Sequence, residues 1–331
     1  MKETIYIFSD GELVRKDNSL MFETKDGEKK YIPVENVREI LIFGEVDINK
    51  RLLEFLSQKE IMLSFFNYYG FYVGSYYPRE HNNSGFAILK QAEYYLDNNK
   101  RIIIAQRFVE GAAKNGLKVL KYYNRRGKDL QEHIEKIESI LPDLVNYSEI
   151  PYLMQKEAEM KKEYYKAFDE IIDSEDFKFL RRSKRPPIDR INAIISFSNS
   201  LIYTTVLREI YSTHLDPRIG YLHATNFRRF SLNLDIAEIF KPVIGDRTIF
   251  HVLNKNILSE KDFEKDLDRV YLNNKGKAKF IEALEERMSE TIKLKKLDKQ
   301  VSYRTLIRME IYKLEKHIMG EEEYQPFVME W

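Results

Sequence analysis

The side chains able to do chemistry in this chain are carboxylates, imidazoles and cations, because its 331 residues include six histidines and no cysteine. That absence excludes disulfides, thiolate zinc sites, iron-sulfur clusters and cysteine nucleophiles together. A lone histidine is ordinarily a satisfied core or surface residue, and His81, His133, His251 and His317 carry no more than that reading. His214 and His223 flank the run LDPRIGYL, in which Asp216-Pro217 reads as a turn after a helix exit. His223 lies a dozen residues before Asp235, and Asp235 and Glu238 stand three apart among Leu234, Ile236, Ala237 and Phe240. On a helix the two acids share a face, where they repel unless they are solvated or hold a cation. The plain reading is an exposed acidic face. One imidazole added to hard oxygen donors is also a donor set for Mn²⁺ or Mg²⁺.

A second acidic candidate is YLMQKEAEMKKEYYKAFDEII, where Glu157, Glu159 and Glu163 sit among lysines ahead of Tyr164, Tyr165 and Phe168. Most such acids are solvated partners of lysine one turn away, and spacing does not choose among the three. Between the two acidic runs lies KFLRRSKRPPIDR, residues 178 to 190, with six basic residues and one acid. It reads either as a solvated charge run or as a segment that contacts phosphates without reading bases.

These side chains need elements to position them, and the period of the chain changes once. From Thr4 to Tyr77 short β-rich runs alternate with turn signals: Thr4–Ser9 leads to Asp10-Gly11, and Ser19–Thr24 leads through Lys25-Asp26-Gly27 to Lys29–Pro33. Both read as hairpins. Glu39–Phe43, Ile61–Phe66 and Phe71–Tyr76 read as further strands, and a helix from about Ile48 to Lys59 would be capped by Asp47. The polar stretch PREHNNSG, 78 to 85, marks a boundary. Beyond it Phe86–Asn98, Arg101–Asn124, Asp129–Ile140, Met154–Ile172, Arg190–Tyr211, Leu234–Phe240 and Lys277–Ile318 carry apolar residues at helical spacing. The expectation is an α+β chain: a small N-terminal β-domain over 1–78, a linker over 79–85, and a larger, all-α catalytic domain over 86–331.

Charge is nearly balanced, with 54 Lys and Arg against 53 Asp and Glu, so no broad field draws a polyanion and nucleic-acid binding needs local clustering. Residues 1–80 hold 11 basic and 14 acidic side chains and the remainder 43 and 39, which puts the basic surplus in the helical part. No GxGxxG, GxxxxGK[ST], HExxH, GxSxG or EF-hand loop occurs. The start, MKETIYIFSDGE, carries acids where a signal peptide is apolar, and no uncharged apolar run reaches membrane-spanning length. A soluble, cytoplasmic protein without a membrane partner is expected.

Taken in order, four segments resemble the CRISPR-associated spacer-acquisition endonuclease/integrase family, Cas one. Glu157-Ala-Glu-Met-Lys-Lys-Glu-Tyr164-Tyr165 resembles the family's helix with a metal-binding Glu ahead of a Tyr pair. Arg185-Pro186-Pro187 leading to Asn192-Ala193 resembles its central motif, and Leu215 to His223 the segment ending in the metal-binding His. Ser231 to Glu238 resembles the helix bearing the last acidic ligand. Ala158 stands where the family often has Gly, and the position of Glu238 can be Asp in the family. The subgroup resembles type I-B.

The resemblance implies a metal-dependent DNA endonuclease and integrase that inserts new spacers into a CRISPR array by transesterification. It implies Glu157, His223 and Glu238 as catalytic residues and ligands of Mg²⁺ or Mn²⁺, with Asp235 as a nearby support or alternative ligand. Double-stranded and branched DNA, a homodimeric state and a small bridging subunit, Cas two, are the implied partners. Arg181, Arg182, Lys184 and Arg185 are the expected contacts to the DNA backbone, with Lys293, Lys295 and Lys296 of the late helix as further candidates. Two other functions stand beside this one: a catalytically silent DNA-binding scaffold, and a metal phosphohydrolase acting on small nucleotides.

Overall fold

A computed structural model of the chain describes residues 2–79, 82, 84–179, 181–183, 186–224, 230–267, 269–294 and 298–330. The chain forms two compact units, Met1–His81 and Asn82–Trp331. The first contains β1 (Glu3–Ile7), β2 (Gly11–Lys16), β3 (Ser19–Thr24), β4 (Lys29–Pro33), β5 (Val37–Ile42), β6 (Val46–Ile48), α1 (Lys50–Gln58), β7 (Met62–Phe66) and β8 (Tyr72–Tyr76). They build two four-stranded sheets, ordered β1-β5-β7-β8 and β4-β3-β2-β6.

The apolar run of β5 explains the first sheet. Glu39 to Ile42 are all buried, so this strand needs a neighbour on each edge, and it pairs in parallel with β1 on one side and β7 on the other. Asp10-Gly11 is therefore not the hairpin the sequence predicts. It is the point where the chain leaves β1 in one sheet and enters β2 in the other. The Asp10 carboxylate accepts from Glu45 N at 2.9 Å, and a Cβ at Gly11 would stand 2.1 Å from Glu23 O. The β3–β4 hairpin is as expected, with Gly27 at φ 84°. Helix α1 is capped by Asn49, whose side chain accepts from Leu52 N at 3.0 Å, because Asp47 lies in β6 against β2. Leu52, Phe55 and Leu56 of α1 join Leu13, Leu20, Ile40 and Leu63 of the sheets in the core of this unit.

The second unit comprises α2 (Gly85–Leu96), α3 (Asn98–Asn124), α4 (Gln131–Ile140), α5 (Ile150–Lys166), α6 (Phe168–Ile171), α7 (Arg190–Ile210), α8 (Ser231–Phe240), α9 (Arg247–Asn254), β9 (Phe263–Asp266), β10 (Arg269–Leu272), α10 (Asn274–Ser289), β11 (Thr291–Leu294), β12 (Lys299–Ser302) and α11 (Tyr303–Ile318). It is mostly helical, as expected, with two small hairpins the sequence reading lacked. The predicted run Lys277–Ile318 is two helices separated by β11–β12, where TIKL alternates exposed and half-buried positions with period two and pairs antiparallel with KQVS. The long helix α3 packs against α5 and α8, and α7, buried nearly all round, lies behind α8.

The last residues strap this arrangement. Asn115 of α3 is fully buried and donates to Ile239 O at 2.8 Å and Phe327 O at 3.0 Å, while its carbonyl accepts from Met329 N at 2.7 Å. Phe327 stacks on Phe240 with centroids 5.6 Å apart. One side chain thus joins α3, the backbone of α8 and the chain terminus. Asn115→Ala takes a hydrogen-bond partner from three buried backbone groups and should destabilise the protein by about 2–4 kcal/mol, read as a lower urea midpoint at unchanged slope.

Candidate active site

Helix α5 presents Glu157, Lys161, Tyr164 and Tyr165 on one face, at spacings of four and three or four residues, toward α8. Glu157, Lys161, Tyr164, Tyr165, Glu238 and Asp246 line one cavity. The structure resolves the ambiguity left by spacing. Glu159 is exposed and pairs with Lys156 at 2.9 Å, and Glu163 turns the other way to His133 at 2.7 Å and Lys166 at 2.8 Å. Only Glu157 faces α8.

The Lys161 ammonium stands between Glu157 and Glu238, pairing with Glu157 Oε1 and lying 2.8 Å from Glu238 Oε2. The other oxygen of Glu238 is 2.6 Å from the ammonium of Lys241, which follows in the π-helical stretch Lys241–Asp246. Burial opposes ionisation of Glu238, but the two ammonium groups outweigh it and hold the carboxyl far below the usual range. The same ion pairs outweigh burial at Lys161 and raise its pKa, so the bridging charge persists.

Asp235 occupies the core of a second arrangement. It is fully buried and accepts from Tyr221 N at 2.6 Å, Leu222 N at 3.0 Å, His223 N at 3.0 Å and His223 Nδ1 at 2.7 Å. These four bonds draw the loop ending at His223 over the first turns of α8. Ser231 completes the staple, accepting from Gly220 N at 2.9 Å and donating to Arg218 O at 2.7 Å. A Cβ at Gly220 would lie 2.7 Å from Asp235 Oδ2 and 2.6 Å from the Ser231 carbonyl carbon, so the approach requires glycine. Asp235 is thereby the support of His223, its oxygens already engaged. With Nδ1 held, Nε2 is the nitrogen that His223 can offer a ligand. Burial disfavours the charged ring, but Asp235 and the charge of Glu238 outweigh it and raise the His223 pKa. A metal taking that nitrogen competes with a proton for it.

Of the expected ligands, then, Glu157 and Glu238 meet at one positive charge, and His223 is tied to the same helix through Asp235. Among the described residues no three His, Asp or Glu side chains stand together as an assembled metal site. The residues nevertheless fit a hard divalent cation: two largely buried carboxylates converge on a cation, and an imidazole tied to the helix of Glu238 has one nitrogen held by a carboxylate.

The basic run divides. Arg181 is exposed, whereas Arg182 turns inward, donating to Asn192 Oδ1 at 2.7 Å and Ser196 Oγ at 3.2 Å. Arg182 thus anchors its segment to α7 and is not displayed for a phosphate. Lys184, Arg185, Lys295 and Lys296 lie outside the described residues, and Lys293 sits on the β11–β12 hairpin, 2.6 Å from Asp298, not on a helix. Lys161, Lys241 and Asp246 are the site residues that sequence reasoning missed. Lys161 carried a signal, standing four residues after Glu157, but that spacing also describes ordinary surface pairs.

The family model described as CRISPR associated protein Cas1 matches residues 5–286. The chain belongs to the Cas1 family. It is 61% identical over its full length, and over the full length of the relative, to CRISPR-associated endonuclease Cas1 2 of Thermodesulfovibrio yellowstonii. The solved structure of a CAS1 protein from Thermotoga maritima superposes with a TM-score of 0.87 at 48% identity, covering 98% of this chain and all of that one. A casposase bound to integration product shares the fold, with a TM-score of 0.88 at 18% identity, covering 99% of this chain and 93% of that chain. No helix among the described residues of this Cas1-family chain is long and apolar enough to cross a membrane.

Asp246 makes the site sensitive to pH in a defined direction. Burial pushes its carboxyl from 3.8 up to about 7, partly offset by the Tyr164 hydroxyl facing it. A carboxyl whose pKa is raised on folding holds a proton that the unfolded chain releases, so its contribution is complete below about pH 4 and is lost as pH rises toward 7. Asp246→Asn removes that loss. The melting temperature of Asp246→Asn relative to wild type should climb between pH 5 and pH 8, and a constant difference in melts across that range would refute the assignment.

Proposed function

We propose that this Cas1-family chain is a metal-dependent DNA endonuclease and integrase that inserts short DNA fragments as new spacers into a CRISPR array. The observation that carries the reading is the meeting of Glu157 and Glu238, from separate helices, at the Lys161 ammonium, with His223 tied by Asp235 to the helix that bears Glu238. A bound Mg²⁺ or Mn²⁺ supplies a lowered pKa for the attacking hydroxyl and neutralises charge on the reacting phosphate. Glu157 and Glu238 provide the negative charge that retains it, and His223 offers Nε2 while Asp235 fixes the ring. Lys241, held at Glu238, keeps a fixed positive charge at the edge of the site. A DNA 3′-hydroxyl at this centre gives strand transfer, and water in its place gives hydrolysis, so nicking and integration are two outcomes of one site.

Duplex and branched DNA are held by backbone contacts, of which exposed Arg181 and the neighbouring Lys184 and Arg185 are the proposed donors. Near-zero net charge in one chain is offset by pooling contacts over a homodimer bridged by a small subunit, Cas two. The proposed setting is the cytoplasm, where the array lies. The scaffold reading draws on one observation, that an ammonium already satisfies the two carboxylates.

Branched DNA with Mn²⁺ separates the two. Glu157→Ala and His223→Ala should each lower nicking and integration by at least about a hundredfold with DNA binding retained. Full activity in either variant would remove the metal reading, and DNA binding by wild type without any Mn²⁺-dependent cleavage would establish the scaffold.

A further inference from the structure

The same lysine that joins Glu157 to Glu238 stands where a divalent cation would have to bind. Two ionised carboxylates lining one cavity, 13% and 10% exposed, repel each other unless positive charge lies between them. Either an ammonium or a metal ion supplies that charge, and both cannot hold the same oxygens at once. Lys161 reaches Glu157 Oε1 and Glu238 Oε2, one oxygen from each acid. Lys241 differs: among the described residues it pairs with Glu238 and not with Glu157. The Lys161 side chain keeps 33% of its exposure on a flexible four-carbon stem, so its ammonium can turn out to water without displacing α5.

We infer that Lys161 is an internal competitor of the divalent cation: it holds Glu157 and Glu238 together in the metal-free protein and surrenders their oxygens when the cation binds. The inference rests on the metal reading of the site given above. Two effects follow from one displacement. The apparent metal affinity is weakened by the fraction of molecules in which the lysine is in place. The metal-free fold is protected from the repulsion it would otherwise contain, a service the bound metal then takes over.

A purely structural ion pair and a competitor respond oppositely to loss of the charge. Metal-free, full-length wild type, Lys161→Met, Lys161→Arg and Lys241→Met are titrated with Mn²⁺ alone, without DNA, following free Mn²⁺ by electron paramagnetic resonance. Thermal melts are recorded with and without Mn²⁺. Lys161→Met should bind Mn²⁺ at least about tenfold more tightly than wild type, melt lower without metal, and gain more on its addition. Lys161→Arg, which keeps a cation in place, should stay near wild type, and Lys241→Met should tighten binding less than Lys161→Met. Lys161→Gln is a milder second variant read by the same signs. Uptake by wild type that neither Lys161→Met nor Lys161→Gln tightens overturns the inference alone. No uptake by any of the proteins overturns the metal reading and this inference with it.

Discussion

Two ionised carboxylates from helices far apart in sequence can face each other in a largely buried place only with positive charge between them. That constraint organises the helical unit. Glu157 on α5 and Glu238 on α8 are brought together because both helices lie against α3. Lys161 and Lys241 supply the compensating charge from the same two stretches of chain. A metal-dependent phosphoryl-transfer site needs this crowding of carboxylates, and a stable fold opposes it. The lysines reconcile the two demands in the protein without metal.

The positions of α5 and α8 are held from several directions. Asn115 ties α8 to α3 and to residues 327–329, and Phe327 stacks on Phe240 two residues beyond Glu238. The Asp235 carboxylate binds three backbone amides and an imidazole, so the segment carrying His223 is fixed by hydrogen bonds to α8 itself. Two acids three residues apart therefore have different work. Asp235 is a structural acceptor that orients a histidine, and Glu238 keeps its charge at the cavity. The π-helical stretch after Glu238 brings Lys241 and Asp246 to line the same cavity, where an unbroken α-helix would present different residues.

Much of the secondary structure was legible because period and turn residues speak locally. The β3–β4 hairpin with its Gly27 turn, the long α3 and the buried α7 all lie where periodicity put them. The failures were of one kind. Asp10-Gly11 has the residues of a hairpin turn, yet β1 pairs with β5 because β5 needs two covered edges. Lys277–Ile318 has enough helix formers to read as one run, yet within it Thr291–Leu294 alternates with period two and forms a hairpin with Lys299–Ser302. Asp47 and Asn49 are both good caps, and pairing of β6 with β2 decided between them.

The site shows the same division at finer scale. Residue types and order determined its chemistry: absence of cysteine confined it to oxygen and imidazole donors, and the four segments from Glu157 to Glu238 carried the resemblance to the family. Spacing could not say which of Glu157, Glu159 and Glu163 faced inward, since each has a lysine one turn away, and only the resemblance singled out Glu157. Nor could it separate Arg181 in solvent from Arg182 against α7. Helical spacing fixes which residues share a face, but only the packing of α5 and α8 against α3 decides what that face meets. The direction of a charged side chain is set by the nearest opposite charge or hydrogen-bond partner in space, which for Arg182 lies 10 and 14 residues on in α7 and for Lys161 lies on another helix.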